Sequence, residues 1–398
     1  MKQIHNLNGR ASSGTFWQKW RMFLVAALIT VMVMGIALVV LPALSPGFGA
    51  ETADFLRSVI GLGPVAKLES TSFKLHDQLD LLLYSVKQAT PQINFADSKQ
   101  AVPVSRSNSS EAAILGITDK NTVVAALPQI GWQAYGPALS DGSTTMARAL
   151  ILMDPQRSFT GVALVRVDLS KLKLHMMSGT MDPIKASNLA KSIPDVGMVP
   201  TADQNALIAT FNGGFKGEHG YYGMMVNGDV ILPPLPNIAT VAVYKDGHVS
   251  MGVWGKDINP SSDMVSFRQN CPPLIENGKL NPSLNMDNRM SWGYSGNTDI
   301  TWRTGLGLSQ DGRYLIYAVG NGTSAQTLAA SLQAAGAYNA MQLDINQYYA
   351  HFYTYQAANP ATSQGFKLFG ASLLTQMTQD PHIYLTPGPR DFFYLTSN

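Results

Sequence analysis

An Asp-Gly pair at 246–247 sits between two runs rich in strand-forming residues, Ile238–Tyr244 and His248–Val253. Glycine accepts the positive φ that tight hairpin turns require, so this spacing commits the segment to an antiparallel pair. A second Asp-Gly, at 311–312, precedes the apolar run Tyr314–Val319, and Val162–Leu169 and Leu172–Met177 read as strands around a short polar break. One helix interrupts the strands. Thr323 with Gln326 makes a capping box, Leu328, Leu332 and Ala335 share a face, and Gly336 supplies the stop. It leads into a buried strand over Asn339–Asp344, an aromatic strand over Tyr348–Tyr355 and a closing strand over Arg390–Ser397. No internal repeat is visible. The fold expected is α+β, with a mixed, largely antiparallel sheet core and flanking helices.

This grammar begins near residue 145, and a different one precedes it. Phe23–Leu41 is a run of 19 uncharged, mostly apolar residues. As a helix it spans roughly 28 Å, close to the hydrocarbon thickness of a bilayer. Lys2, Arg10, Lys19 and Arg21 come before it without an acidic residue, which places the N-terminus in the cytoplasm and residues 42–398 outside. A cleavable signal peptide competes with this reading, but its apolar core is normally shorter. The expected organisation is a cytoplasmic tail (1–22), a single-pass transmembrane anchor (23–41), a stalk or accessory region (42–144) and a main domain (145–398). Within the stalk, Leu75, Leu79, Leu82, Leu83 and Val86 recur at helical spacing, so an amphipathic helix must bury its stripe on a partner or on the main domain. The run SRSNSS at 105–110 reads as a linker.

Charge narrows the function. Only 14% of residues are charged, and 28 basic side chains against 26 acidic ones leave no basic face for nucleic acid. Cys271 is the sole cysteine, which rules out an intramolecular disulfide and a thiolate metal cage. P-loop, GxSxG, HExxH and dinucleotide motifs are absent. What remains is carboxylates beside aromatics and amides, a mixture that suits sugars, whose hydrolysis typically uses two carboxyl groups.

The stretch ATFNGGFKGEHGYYGMMVNG, 209–228, concentrates that chemistry. An apolar run delivers Asn212 to a strand end, Gly213-Gly214 permits a turn or a close backbone approach, and Glu218, His219, Tyr221 and Tyr222 follow between glycines. On residues alone it reads either as a Gly-rich hairpin or as a site loop. Either Glu218 or His219 is a candidate second acid or base. Arg268, Gln269 and Asn270 form a polar triplet suited to phosphate or sugar. Asp287, Asp299 and Trp302 belong to a Gly/Asn-rich loop.

NGGF at 212–215, the later run WRTGLGLSQDGRYLIYAV and the helix ending in GAYNAMQLD follow one another in an order and spacing that resembles the phosphodiester glycosidase domain family over residues 145–398. The resemblance implies an exported hydrolase acting on a glycosyl-phosphodiester or envelope glycan. Carried over by position, it implies Asn212 and Asp344 as catalytic candidates, with Gly213, Gly214 and Arg303 at the substrate. Asp344 then acts as general acid, base or metal ligand, Asn212 orients a hydroxyl or phosphate oxygen, and Arg303 holds a phosphodiester. Active members typically continue Leu-Asp into a glycine-rich turn. This chain reads LDINQYY, and Asn346 stands with the substrate-binding candidates in that turn. The departure motivates an alternative, a non-catalytic glycan-binding or envelope-assembly module on the same fold. No cofactor is required by the sequence, and a divalent cation is compatible with Asp344.

Overall fold

The strand Tyr314–Thr323 sorts its side chains by parity. Leu315, Tyr317 and Val319 join one apolar core, while Ile316 and Ala318 join another on the opposite face, as the two-residue period of a strand dictates. The strand therefore lies between two layers. The computed structural model describes residues 20–23, 25, 46–86, 93–97, 104–106, 130–183, 196–286, 292, 296–357 and 367–398. The chain divides into two units, Met1–Val59 and Ile60–Asn398. Helix α1 (Pro46–Ile60) belongs almost wholly to the first, and the second holds helices α2 (Leu62–Val86) and α3 (Ala325–Ala334) and the sheets.

Among the described residues three sheets form. The largest runs, in order, 104–106, 146–152, 162–168, 314–323, 301–308, 339–342, 275–276 and 279–280, with 133–135 paired to 146–152. Its pairings are antiparallel except that of 104–106 with 146–152. A second sheet orders 368–372, 352–357, 207–212, 392–397 and 172–177. A third orders 249–253, 239–244, 264–269, 224–226 and 229–232. Helix α3 supplies Leu328 and Leu332 to the core on one face of the large sheet, and the second sheet contributes Phe211, Phe352 and Phe393 to the core on the other. A Cβ at Gly307 would lie 2.6 Å from the Ala337 Cβ, so glycine there seats the end of α3 against the sheet.

Several sequence expectations shift by a residue or more. The hairpin around 246–247 forms, with Gly247 at φ +86°. The α3 N-cap is Ser324, whose hydroxyl accepts from Thr327 N, while Thr323 ends the preceding strand. Strand 339–342 stops two residues short of Asp344, and the aromatic strand begins at Phe352 because 347–349 form a turn. Strands at 104–106 and 133–135, from the stretch read as stalk, join the large sheet, so the linker expected at 105–110 begins inside a strand. The expected helix over 75–86 lies within α2, but Leu75, Leu79, Leu82 and Leu83 are exposed instead of covered by the main domain. Of the run Phe23–Leu41 only Phe23 and Val25 are described, and among the described residues no helix is long and apolar enough to cross a membrane.

Phe211 is the aromatic centre of the first core. It is fully buried, its ring stacks on Phe352 and Phe393 with centroids 5.8 and 5.1 Å away, and Tyr317 tilts against it at 5.4 Å. Phe211→Ala is predicted to lower unfolding stability by about 3–5 kcal/mol in a denaturant titration. A loss below about 1 kcal/mol would contradict this packing.

Candidate active site

The ends of one strand from each sheet meet at the turn after Phe211. Strand 207–212 brings Asn212 and the glycines, strand 339–342 leads to Asp344, and strand 264–269 brings Arg268 and Asn270. Asp344 N donates to Gly213 O at 3.1 Å, and the Asp344 carbonyl accepts from Thr304 N at 3.2 Å and Thr304 Oγ1 at 2.5 Å. Asn212 completes the junction. Its Nδ2 donates to Thr304 Oγ1 (2.9 Å) and Gly213 O (3.0 Å), and its Oδ1 accepts from Tyr317 OH (2.9 Å) and His351 N (3.3 Å). With all these contacts and 3% exposure, Asn212 locks the turn in place.

Two residues ahead of the closing strand 392–397 complete the cluster. Asp391 Oδ2 accepts from Gly214 N at 3.0 Å and Arg268 Nε at 2.8 Å, with both side chains of the pair 1% exposed. The other Arg268 nitrogens donate to the carbonyls of Phe215, Tyr222 and Gln269. Asn270 takes Phe215 N on Oδ1 and gives Nδ2 to Gln342 O. Arg390 Nη2 donates to Gly214 O at 2.8 Å and to Asp344 Oδ2 at 2.5 Å, and its guanidinium lies 4.4 Å from the Tyr349 ring centroid. Arg390 Nε is buried without a hydrogen-bond partner among the described residues.

Electrostatics centre on Arg390. Burial alone would lower its pKa, but Asp344, Asp391 and Asp182 outweigh that and hold it above the ordinary arginine value. Asp182 lies within electrostatic reach of the same guanidinium. Burial raises its pKa, with Arg390 and Lys216 pulling the other way, and its carboxylate accepts a 3.4 Å contact from Gly217 N. Asp344 is tied more tightly, since Oδ1 also accepts from Asn346 N at 2.9 Å. Burial raises the Cys271 thiol to about 12, which keeps it protonated and unreactive at neutral pH.

The sequence candidates thus separate. Asn212, Gly213, Gly214, Asp344, Arg268, Asn270 and Asn346 come together. Asn346 sits in the capped turn, its Oδ1 accepting from Tyr348 N. Ile345 packs against the α3-side core, so the bulk that replaces glycine is turned partly inward. Glu218 is exposed and His219 half-buried on the loop beyond the turn. Arg303 is fully buried. Its nitrogens donate to the carbonyls of Thr323, Gly296 and Asp299 and to Gln342 Oε1, which pins the 296–299 loop onto the large sheet. Burial lowers its pKa to about 10, so it stays cationic. Asp299 is buried and accepts from Ser70 Oγ, while Asp287 lies outside the described residues. Among the described residues no group of three or more His, Cys, Asp or Glu side chains is placed to hold a metal ion.

Sequence reasoning missed Asp182, Arg390 and Asp391. The available signal was the Arg-Asp pair at the head of an apolar closing strand, where charges end up beside whatever that strand pairs with. It pairs with 207–212, in register Phe392 to Asn212. A Cβ at Gly213 would fall 2.1 Å from Asp391 Oδ2. Gly213→Ala is therefore predicted to destabilise the protein by on the order of 3 kcal/mol, read as a shift of the denaturation midpoint. An unchanged midpoint would mean that the Asp391 contact is not built as described.

Residues 205–344 match the phosphodiester glycosidase family model, which bears out the resemblance read from NGGF, RTGLG and LD for that segment. Asp182, Arg390 and Asp391 lie outside the matched residues. Similar solved structures include the zebrafish N-acetylglucosamine-1-phosphodiester alpha-N-acetylglucosaminidase catalytic domain, auto-inhibited by its pro-peptide. It shares 12% identity over 77% of this chain and 100% of that one, with a TM-score of 0.39. A hypothetical protein from Synechocystis shares 10% identity over 64% of this chain and 62% of that one, with a TM-score of 0.35. No curated protein sequence matches the chain.

Proposed function

We propose that the phosphodiester glycosidase domain of this chain hydrolyses a glycosyl-phosphodiester and releases the sugar. The observation that carries the reading is Arg390 held between the NGGF turn and Asp344, its buried Nε without a hydrogen-bond partner among the described residues, with a second carboxyl group of raised pKa, Asp182, acting electrostatically on the same guanidinium. Arg390 takes the place first assigned to Arg303, whose donors are spent on backbone carbonyls.

The chemistry follows from the leaving group. A phosphate monoester departs as a stable anion, so a fixed cation helps it more than a strong acid does. Arg390 binds the phosphate. Water attacks the anomeric carbon and gives a proton to the Asp182 carboxylate. The bond from that carbon to the phosphate oxygen breaks, and the phosphate leaves with the electron pair. Asp344, anchored by Arg390 and Asn346 N, positions the guanidinium and offsets positive charge on the sugar ring. A base of raised pKa is the more effective at neutral pH, provided it is ionised.

Purified protein incubated with a sugar-1-phosphodiester is expected to release free sugar, with kcat rising as pH passes through the raised Asp182 pKa. Asp182→Asn should lower kcat about 10²–10⁴-fold and flatten that limb. The same group stabilises the fold below the ordinary aspartate pKa, and this contribution fades as pH rises through its folded value, so Asp182→Asn should also flatten the pH dependence of unfolding. Sugar release that is undiminished in both Asp182→Asn and Asp344→Asn would sink the assignment. The capped, tyrosine-filled turn after Asp344 supports the second reading, a glycan-binding module. That reading requires no turnover in the wild type and sugar affinity that survives Asp344→Asn.

The hydrolase reading extends to location. The uncharged run 23–41 behind four basic residues supports a single-pass anchor with the domain outside the cytoplasm. A reporter enzyme active only outside the cytoplasm, fused after Asn398, should be active and stay with the membrane fraction. An inactive fusion would remove this part of the proposal.

A further inference from the structure

Helix α2 carries a heptad repeat that faces away from the domain to which the helix is attached. Leu68, Leu75 and Leu82 fall seven residues apart, and Ser72 and Leu79 interleave with them, giving a d-a-d-a-d seam over Leu68–Leu82. Ser70, Asp77 and Tyr84 form the f row of the same register, on the opposite side of the helix. That f row holds α2 to the domain. Ser70 Oγ donates to Asp299 Oδ1 at 2.6 Å, Asp77 accepts a bidentate pair from Arg157 at 2.5 and 2.6 Å, and Tyr84 stacks on Phe159 at 4.2 Å. The seam is correspondingly open to solvent, with Leu68, Leu75, Leu79 and Leu82 exposed by 43, 44, 45 and 65%, and Leu83 at the adjoining e position by 62%.

We infer that α2 is a dimerisation helix, and that its occupant is α2 of a second copy of this chain in a parallel two-stranded coiled coil. The seam repeats every 3.5 residues, and the surface that matches such a seam is another helix with the same repeat. Its own copy qualifies on charge as well. In a parallel pair the g positions Thr71 and Gln78 face His76 and Leu83 of the partner copy's e row, so no like charges meet along the flank. Leucine at every d position of the seam is compatible with a two-stranded parallel pair. Two heptads alone make a marginal helix in water, but α2 is already formed by its attachment through the f row, so the nucleation cost does not fall on association.

Cys271 is fully buried, which leaves an introduced cysteine as the accessible thiol. The full chain carrying Leu68→Cys, mildly oxidised, should run as a covalent dimer on a non-reducing gel, while Lys74→Cys, at a c position, should stay monomeric. Adding Leu75→Asp and Leu79→Asp to the Leu68→Cys chain should abolish the cross-link. These positions are exposed and none belongs to the candidate active site, so sugar release or sugar binding should persist. A monomeric Leu68→Cys chain overturns the proposal, and would mean that the seam is covered by another part of the chain or by a different partner. Equal cross-linking of Lys74→Cys overturns it as random collision. Cross-linking only in a mixture of Leu68→Cys and Leu82→Cys chains overturns the parallel arrangement.

Discussion

The buried ion pair between Arg268 and Asp391 holds the site together. One carboxylate oxygen of Asp391 receives both Gly214 N and Arg268 Nε, and the same guanidinium reaches the carbonyls of Phe215 and Tyr222. A single contact set thus joins the closing strand of the second sheet, the turn leaving that sheet and the end of the third sheet's central strand. Every Arg268 nitrogen has a partner and Asp391 Oδ2 accepts two hydrogen bonds, while removing either charge would strand the other at a cost of about 3–5 kcal/mol. Gly213 and Gly214 are required because this pair occupies the space where side chains would stand.

Around that fixed pair the remaining groups divide by how firmly they are held. Asn212 and Arg303 have their polar atoms committed to the framework, and Arg303 secures the loop against which α2 docks through Ser70 and Asp299. Arg390 and Asp344 are tied chiefly to each other, and Asp182 acts on the same guanidinium through its charge. A preorganised cation costs nothing to reorient during reaction only if its neighbours are rigid. Here they are, because Asp344 follows a strand inside the large sheet and Gly214 is clamped by Asp391.

Much of the β architecture was legible in the sequence, and for local reasons. The Asp-Gly hairpin, the strands at 162–168, 172–177 and 314–323 and the Gly336 stop all appear because turn chemistry and side-chain period act over a few residues. The short strands 104–106 and 133–135 were missed, since their pairing with 146–152 is decided by that strand's free edge and not by their own composition. At the site, NGGF and Asp344 were found through motif order, but their chemistry was distributed differently. Arg303 looked available because a sequence does not reveal how many carbonyls surround a guanidinium. Arg390 and Asp182 stayed hidden because Arg390 meets Asp344, and Asp182 acts on Arg390, only across long sequence separations.

By itself, then, the sequence determined a β-rich domain, the place where its chain turns at Asn212, Gly213 and Gly214, and the carboxylate that follows the strand at 339–342. These depend on backbone conformation and on alternation of apolar residues, both local properties. Tertiary structure alone decided how each charge is used: Arg268 and Arg303 are closed into the framework, whereas Arg390 joins Gly214 O to Asp344 in the field of Asp182. Burial and hydrogen-bond saturation are properties of the assembled neighbours, and three separate sheets had to converge before any one side chain acquired its environment.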